Sequence, residues 1–137
     1  MIRFTLLTLA ACCWTLVTTA QCDSTAVFCE SHMTSDYISD GQNYRALVYN
    51  DQVAEFEVTF FGNTSYRIAA CTGNTDGNLI FSVYDQERNP LFTNKDFGNA
   101  PYWDFNVENT MDVVIEARLE EQYVSSGCAV LLIGFKQ

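Results

Sequence analysis

The sequence predicts an all-β fold, an antiparallel β-sandwich or jelly-roll-like single domain, on three observations. Apolar and polar residues alternate over residues 53–61 and 111–118, as they do in half-buried strands. Turn-forming Gly, Asn and Pro residues separate these stretches from further β-rich ones at short intervals, which is typical of sandwiches. The length of 137 residues, with 48% hydrophobic residues, suits one globular domain.

The strand predictions follow the spacing of apolar residues along the chain. In the first clear strand the inward residues are Phe56, Val58 and Phe60, and the outward residues are Glu55, Glu57 and Thr59. Residues 128–135 are almost wholly apolar, so we expect a central strand that is covered on both faces. The remaining stretches of strand composition are 44–49, 65–71, 79–84 and 102–107, with a short eighth strand at 91–93.

The first 39 residues are set apart from the predicted sandwich. Residues 1–20 are predicted to be a signal peptide, because Arg3 precedes an apolar run and small residues lead up to cleavage after Ala20. An alternative is a lipoprotein signal that would leave the chain lipid-anchored through Cys12. Residues 21–39 are predicted to form a disulfide-pinned segment with room for one turn of helix, and residues 40–137 to form the β-sandwich domain.

Charge and hydropathy limit the location and the partners. The chain has 17 acidic and 7 basic residues and a net charge of -10, which repels phosphate backbones and disfavours nucleic-acid binding. No segment after the signal peptide has the ~20 apolar residues that a membrane span needs. Because residues 1–20 are predicted to be a signal peptide and no later membrane span is expected, we expect a secreted or periplasmic protein. Its expected partner is an extracellular or periplasmic protein or a glycan, with self-association through an edge strand as a further option.

Four cysteines follow the predicted signal peptide, namely Cys22, Cys29, Cys71 and Cys128. An even number of cysteines in an exported chain predicts disulfides, and four cysteines allow three pairings. We expect Cys22–Cys29 and Cys71–Cys128. The first pair is close in sequence, and the second lies where two predicted neighbouring strands end and begin.

Candidate residues for catalysis are few. His32 is the single histidine and lies in the least regular part of the chain, so it is interpreted as a surface residue. Glu55 and Glu57 share a strand face at roughly 7 Å, within the range that glycosidase carboxylates span, which keeps a small glycosidase-like enzyme as the less favoured alternative. Solubility explains alternating acids on a solvent face more simply. We therefore assign no catalytic residue and expect a protein that is not an enzyme.

Two segments carry candidate binding residues. Asn74, Asp76 and Asn78 place oxygen-bearing side chains at alternate positions of a Gly-containing loop, as calcium loops do, with Asp51 or Asp85 as candidates for a further ligand. Such clusters are first of all turn formers, so we expect no cofactor, with calcium as the alternative. Residues 92–103 combine aromatic rings with amides, as sugar sites do. The candidate ligand-binding residues there are Phe92, Asn94, Phe97, Asn99 and Tyr102. Trp103 alternates with polar neighbours and is assigned to the core.

The order of the strands carries a family resemblance. An amphipathic strand ends in residues 60–63, residues 66–68 and 79–85 follow, and an aromatic strand precedes the final apolar one. This order resembles the bacterial pre-peptidase C-terminal domains, and residues 66–70 and 127–135 resemble small exported proteins of Bacteroidetes. The resemblance implies a β-sandwich of the kind attached to secreted enzymes, with a role in binding, solubility or targeting.

The function expected from the sequence is that of a secreted non-catalytic accessory or binding β-sandwich module. A β-sandwich without a plausible pair of nucleophile and base offers surfaces more readily than reactions. The alternative is a carbohydrate-binding module that uses the aromatic residues of the 92–103 loop.

Overall fold

The computed structural model describes residues 21–136. The predicted signal peptide, its cleavage after Ala20 and the alternative lipid site at Cys12 lie outside the described residues. Residues 21–30 are α-helical, and a 3-10 helix spans Asn94–Phe97. The described residues form nine strands: β1 (Ile38–Ser39), β2 (Tyr44–Tyr49), β3 (Ala54–Phe60), β4 (Thr64–Cys71), β5 (Leu79–Tyr84), β6 (Pro90–Thr93), β7 (Tyr102–Val107), β8 (Met111–Leu119) and β9 (Ser126–Lys136).

These strands form two antiparallel sheets that pack face to face. In the first sheet β1 and β2 both pair with β9, which is followed by β4 and β7. In the second sheet the order is β3, β8, β5 and β6. Two sheets connected in this way make a jelly roll, so the predicted fold class is confirmed. Within residues 21–136, no helix combines the length and the hydropathy that a membrane span requires.

The strand predictions agree closely with the structure. β2, β5 and β7 have the predicted bounds, and the short strand expected at 91–93 is β6. β1 is not predicted from the sequence, because its two residues are exposed and too few to show an alternating pattern. It lies in line with β2 along the same edge of β9, so the two together act as one interrupted edge strand.

The core lies between the two sheets. Its fully buried side chains include Ile68 of β4, Phe81 of β5 and Ile115 of β8. The predicted alternation in β3 is confirmed, since Phe56, Val58 and Phe60 belong to the core or pack against it, whereas Glu55, Glu57 and Thr59 are exposed.

The helix at residues 21–30 covers the outer face of the first sheet. Its inward side consists of Cys22, Thr25, Ala26 and Cys29, an i, i+3, i+4, i+7 pattern. Ala26 packs against Val130 of β9, so the final strand is covered on both faces, as predicted. The helix is longer than the single turn expected. Thr and Cys are weak helix formers, so the local sequence does not indicate its full length, and packing on the sheet supplies its stability.

The predicted disulfide pairing is wrong. Cys22 is bonded to Cys128, and Cys29 is bonded to Cys71. The reason is the helix: two residues seven positions apart lie on the same helix face but about 10 Å apart along its axis, farther than one disulfide spans. Each cysteine of the helix therefore reaches a different strand, and the two bonds fasten the helix to β9 and β4.

Candidate functional site

Three connections meet at one end of the sandwich, and we call them together the loop end: residues 72–78, 94–101 and 120–125. They join β4 to β5, β6 to β7 and β8 to β9. Hydrogen bonds link them, since the Glu120 N–H donates to the Asn78 carbonyl at 2.9 Å. The side-chain nitrogen of Asn99 donates to the Gly77 carbonyl at 3.1 Å and to Glu120 Oε2 at 3.0 Å. The three loops therefore form one continuous surface.

The 94–101 loop has a defined internal structure. Thr93 caps its 3-10 turn by accepting a hydrogen bond from the Lys95 N–H. Gly98 ends the turn in the left-handed region at φ 64°, a conformation that glycine adopts without steric cost. The N–H groups of Gly98 and Asn99 both donate to the Asn94 carbonyl. The loop is thus a closed turn of fixed shape.

Asn94 anchors this loop and is not available to a ligand. Its side chain is completely buried. The Asn94 oxygen accepts from the Phe81 N–H at 2.9 Å, and its nitrogen donates to the carbonyls of Leu79 and Ala100 at 3.0 Å each. All of these hydrogen bonds lie inside the protein, so the structure places this predicted ligand-binding residue in a structural role.

The aromatic residues of the predicted sugar site separate into two groups. Phe97 is 51% exposed, and its ring stacks on Phe92 and lies 4.3 Å from the Trp103 ring centroid. Phe92 and Trp103 pack against the core, as predicted for Trp103. Tyr102 points the opposite way from Trp103, to the outer face of the first sheet, because neighbouring strand residues alternate. Phe97 and Tyr102 are therefore both exposed, but they lie on different surfaces and do not form one aromatic platform.

Tyr102 belongs instead to a cluster around Arg67 that the sequence did not predict. The Arg67 guanidinium lies over the rings of Tyr37 and Tyr102 at 4.6 and 4.4 Å, and its Nη1 donates to the His32 carbonyl. It also makes two hydrogen bonds to Asp104, at 2.7 and 3.0 Å. The hydrogen bond from Arg67 lowers the pKa of Asp104. The cluster fastens the amino-terminal segment to β4 and β7.

His32 forms the link from this segment to the loop end. Its Nε2 lies 2.8 Å from Asp76 Oδ1, and its ring packs against the rings of Phe28 and Tyr102, with centroids 5.9 and 5.7 Å away. The side chain is only 15% exposed, so the expected surface histidine is largely covered by its neighbours.

The residues predicted for calcium are divided between two surfaces. Asp76 and Asn78 line an open polar basin of about 500 Å³ at the loop end, together with Gly77, Gly98, Asn99 and Tyr123. Asn74 lines a neighbouring groove beside the amino-terminal helix, and Asn78 lines this groove as well as the basin. Asp85 lies in the β5–β6 turn at the opposite end. Within the described residues, no group of three or more His, Cys, Asp or Glu residues converges as a metal site. Calcium binding stays a prediction.

The carboxylates considered for glycoside hydrolysis lie on the outer face of the second sheet. Arg88 donates to Glu55 at 3.2 Å and to Glu116 at 2.9 Å. Glu57 lies on the same exposed face of β3. Glu55 is thus held in an ion pair on an open sheet face rather than across a cleft from a second acid.

The comparison with the solved structure of PliG agrees with this fold, and the comparisons of sequence find no match. No family description and no curated protein matches the sequence. The fold is similar to that of PliG of Aeromonas hydrophila, a periplasmic inhibitor of g-type lysozyme, with 7% identity, 72% of this chain and 91% of that chain covered, and a TM-score of 0.54. A second structure is the pre-peptidase C-terminal domain of a Bacillus anthracis collagenase, with 10% identity, coverage of 66% and 88%, and a TM-score of 0.47. At such identities the likeness to PliG shows a shared fold alone.

Proposed function

We propose that this protein is an exported, non-catalytic binding module that docks an extracellular protein through its loop end. The observation that carries the proposal is the exposure of Phe97 on a loop whose shape is fixed from within. A preformed loop binds without the entropy cost of ordering a flexible one. Large aromatic residues held in this way are typical energetic centres of protein interfaces.

The amides of the loop favour a protein partner over a glycan. A sugar site needs amide and carboxylate groups free to bind hydroxyls, but the Asn94 side chain is fully committed to the backbone. The Asn99 nitrogen is likewise used within the loop end. The loop therefore offers the exposed apolar ring of Phe97, while the nitrogens of its two asparagines are already hydrogen-bonded. This composition suits a protein surface better than a sugar.

Export and the absence of catalysis are supported by separate observations. Two disulfides favour an oxidising compartment. His32 and Glu55 are each paired with another side chain, and Glu57 lies on the open, exposed face of β3. The solved neighbour PliG is an inhibitor of g-type lysozyme, so a lytic enzyme of this kind is the first purified partner to test.

A photo-crosslinking experiment tests the docking surface. A benzophenone amino acid replaces Phe97 in one variant and Phe61 in the matched control; Phe61 is also an exposed phenylalanine, at the opposite end of the sandwich. We expect discrete protein adducts from position 97 among the exported proteins of the producing cell, and none from position 61. Unlabelled protein should compete, and unlabelled Phe97→Ala should not.

Three outcomes would contradict the proposal. The first is equal adducts from both positions, and the second is no adduct from position 97 in a correctly folded variant. The third is saturable binding on a glycan array that Phe97→Ala abolishes, which would favour the carbohydrate-binding alternative.

A further inference from the structure

The basin at the loop end has an unusual balance of hydrogen-bonding groups. The side-chain nitrogen of Asn78 donates to Thr75 Oγ1 at 2.7 Å, and that of Asn99 donates to Gly77 and Glu120. Asn99 thereby has both of its N–H donors committed and Asn78 has one of its two, and both side-chain oxygens are left to accept. Since an amide carries its donors on nitrogen and its acceptors on oxygen, the side chains of the basin offer mainly acceptors.

A carboxylate adds negative charge to these acceptors. Asp76 lines the basin and is 47% exposed. Its Oδ1 is held by His32, and Oδ2 makes no hydrogen bond to a described residue. The carboxylate is therefore fixed in place by one oxygen and free to bind through the other. Glu120 is not among the residues that line the basin, but its carboxylate accepts a hydrogen bond from Asn99, which is.

Aromatic rings border the same basin. Tyr123 lines it and is 70% exposed. Phe97 is not among the lining residues, but it is exposed on the same loop as Gly98 and Asn99, which are. Rings next to carboxylates are a favourable setting for a flat organic cation, which stacks on the ring while its N–H groups reach the oxygens.

We propose that this basin receives an arginine side chain of the protein partner. The proposal rests on the proposed function, because it names the group that the docked protein would present. A guanidinium has five donors and no acceptor, the complement of what the basin offers. Its positive charge also suits a chain with a net charge of -10.

Two other ligands fit the same residues less well. Calcium takes six to eight oxygens at short distance, whereas Asp76 is the one carboxylate among the residues that line the basin. A sugar hydroxyl both donates and accepts, and the basin has acceptors in excess. The guanidinium is thus the ligand that the available groups favour.

The experiment is an NMR titration of the exported protein with N-acetyl-arginine amide, with N-acetyl-citrulline amide as the uncharged control of the same shape. We expect saturable shifts of the Gly77 and Gly98 amide signals with arginine, and binding about tenfold weaker with citrulline. Asp76→Asn, which keeps an acceptor for His32, should weaken arginine binding about tenfold. The matched control Asp36→Asn changes an exposed carboxylate outside the loop end and should leave binding unchanged.

The outcomes separate this proposal from the proposed function. Equal binding of citrulline, or full binding by Asp76→Asn, would overturn the arginine site. So would shifts of the same amides by calcium in EDTA-treated protein that does not respond to arginine. Adducts from position 97 alongside any of these results would show that the loop end docks a protein without an arginine in the basin.

Discussion

Asn94 of the β6–β7 loop and Phe81 of β5 are joined by a hydrogen bond in which the Asn94 side-chain oxygen takes the place of a backbone carbonyl of a neighbouring strand. β6 pairs with β5 as far as Thr93 and Ser82, and there the ladder ends. The Asn94 side-chain oxygen then accepts from the next β5 donor, the Phe81 N–H, at 2.9 Å. A single buried amide thus ends the pairing of β5 with β6 and fixes where Phe97 emerges.

Asn94→Ala should destabilise the protein by about 2–4 kcal/mol, because it leaves a buried N–H and two carbonyls without their partner. The change is read as the free energy of unfolding in urea. Asn109→Ala, at an exposed turn at the opposite end, is the matched control and should change this energy by less than about 0.5 kcal/mol. A loss below about 1 kcal/mol in Asn94→Ala would mean that water replaces the amide and that the loop is not anchored as described.

The strands could be predicted from the sequence and the loop contacts could not. Alternation in β3 is a local signal, because each side chain's face follows from its position in the strand. The burial of Asn94 depends on β5 and β6 meeting, and nothing near residue 94 indicates it. The placement of Tyr102 was predictable, since it precedes Trp103 and must face the opposite side.

The wrong disulfide pairing has a similar cause. Proximity in sequence favours Cys22–Cys29, but a helix holds these residues apart. The spacing of Cys22, Thr25, Ala26 and Cys29 is a helical signal that could have corrected the prediction. Arg67 also had a signal, because a lone charge on a strand face otherwise made of small residues such as Ala69 needs a partner.

Peptide mapping without reduction should recover Cys22 joined to Cys128, and Cys29 joined to Cys71. The bonds close loops with sequence separations of 106 and 42 residues. Replacing either pair with serine should therefore lower the free energy of unfolding by about 4–5 kcal/mol in the chain-entropy estimate. Recovery of a Cys22–Cys29 peptide would contradict the helical packing of residues 21–30 on the sheet.

Asp104 should contribute a pH-dependent part of the stability. Its folded pKa lies below the unfolded value of about 3.9 because Arg67 donates to it. The contribution is therefore present at neutral pH and is lost as pH falls through the folded pKa. Asp104→Asn should cost about 1 kcal/mol at pH 7, a figure reduced for solvent screening of a half-exposed carboxylate.

The measurement is thermal unfolding of wild type and Asp104→Asn from pH 7 to pH 2. The difference between the two melting temperatures should shrink below about pH 4. Asp36→Asn is the control, because Asp36 is an exposed carboxylate that is not among the hydrogen-bond partners of Arg67. A difference that stays constant down to pH 2 would show that the substitution acts by disturbing the packing of Arg67 and not through the charge of Asp104.

Gly127 and Thr72 should behave as an energetically coupled pair beside the Cys22–Cys128 bond. A Cβ at Gly127 would lie 2.5 Å from Thr72 Oγ1, which is buried and has no hydrogen-bond partner among the described residues. Gly127→Ala should therefore cost about 1–3 kcal/mol through overpacking. Thr72→Ala removes the obstructing hydroxyl, so the double variant Thr72→Ala/Gly127→Ala should be more stable than the sum of the single effects predicts, with a coupling energy of about 1 kcal/mol.

Urea unfolding of the wild type, the two single variants and the double variant measures this coupling. Strict additivity would show that β9 shifts away from Thr72 at little cost, and that this contact does not set the distance between the start of β9 and the 72–78 loop.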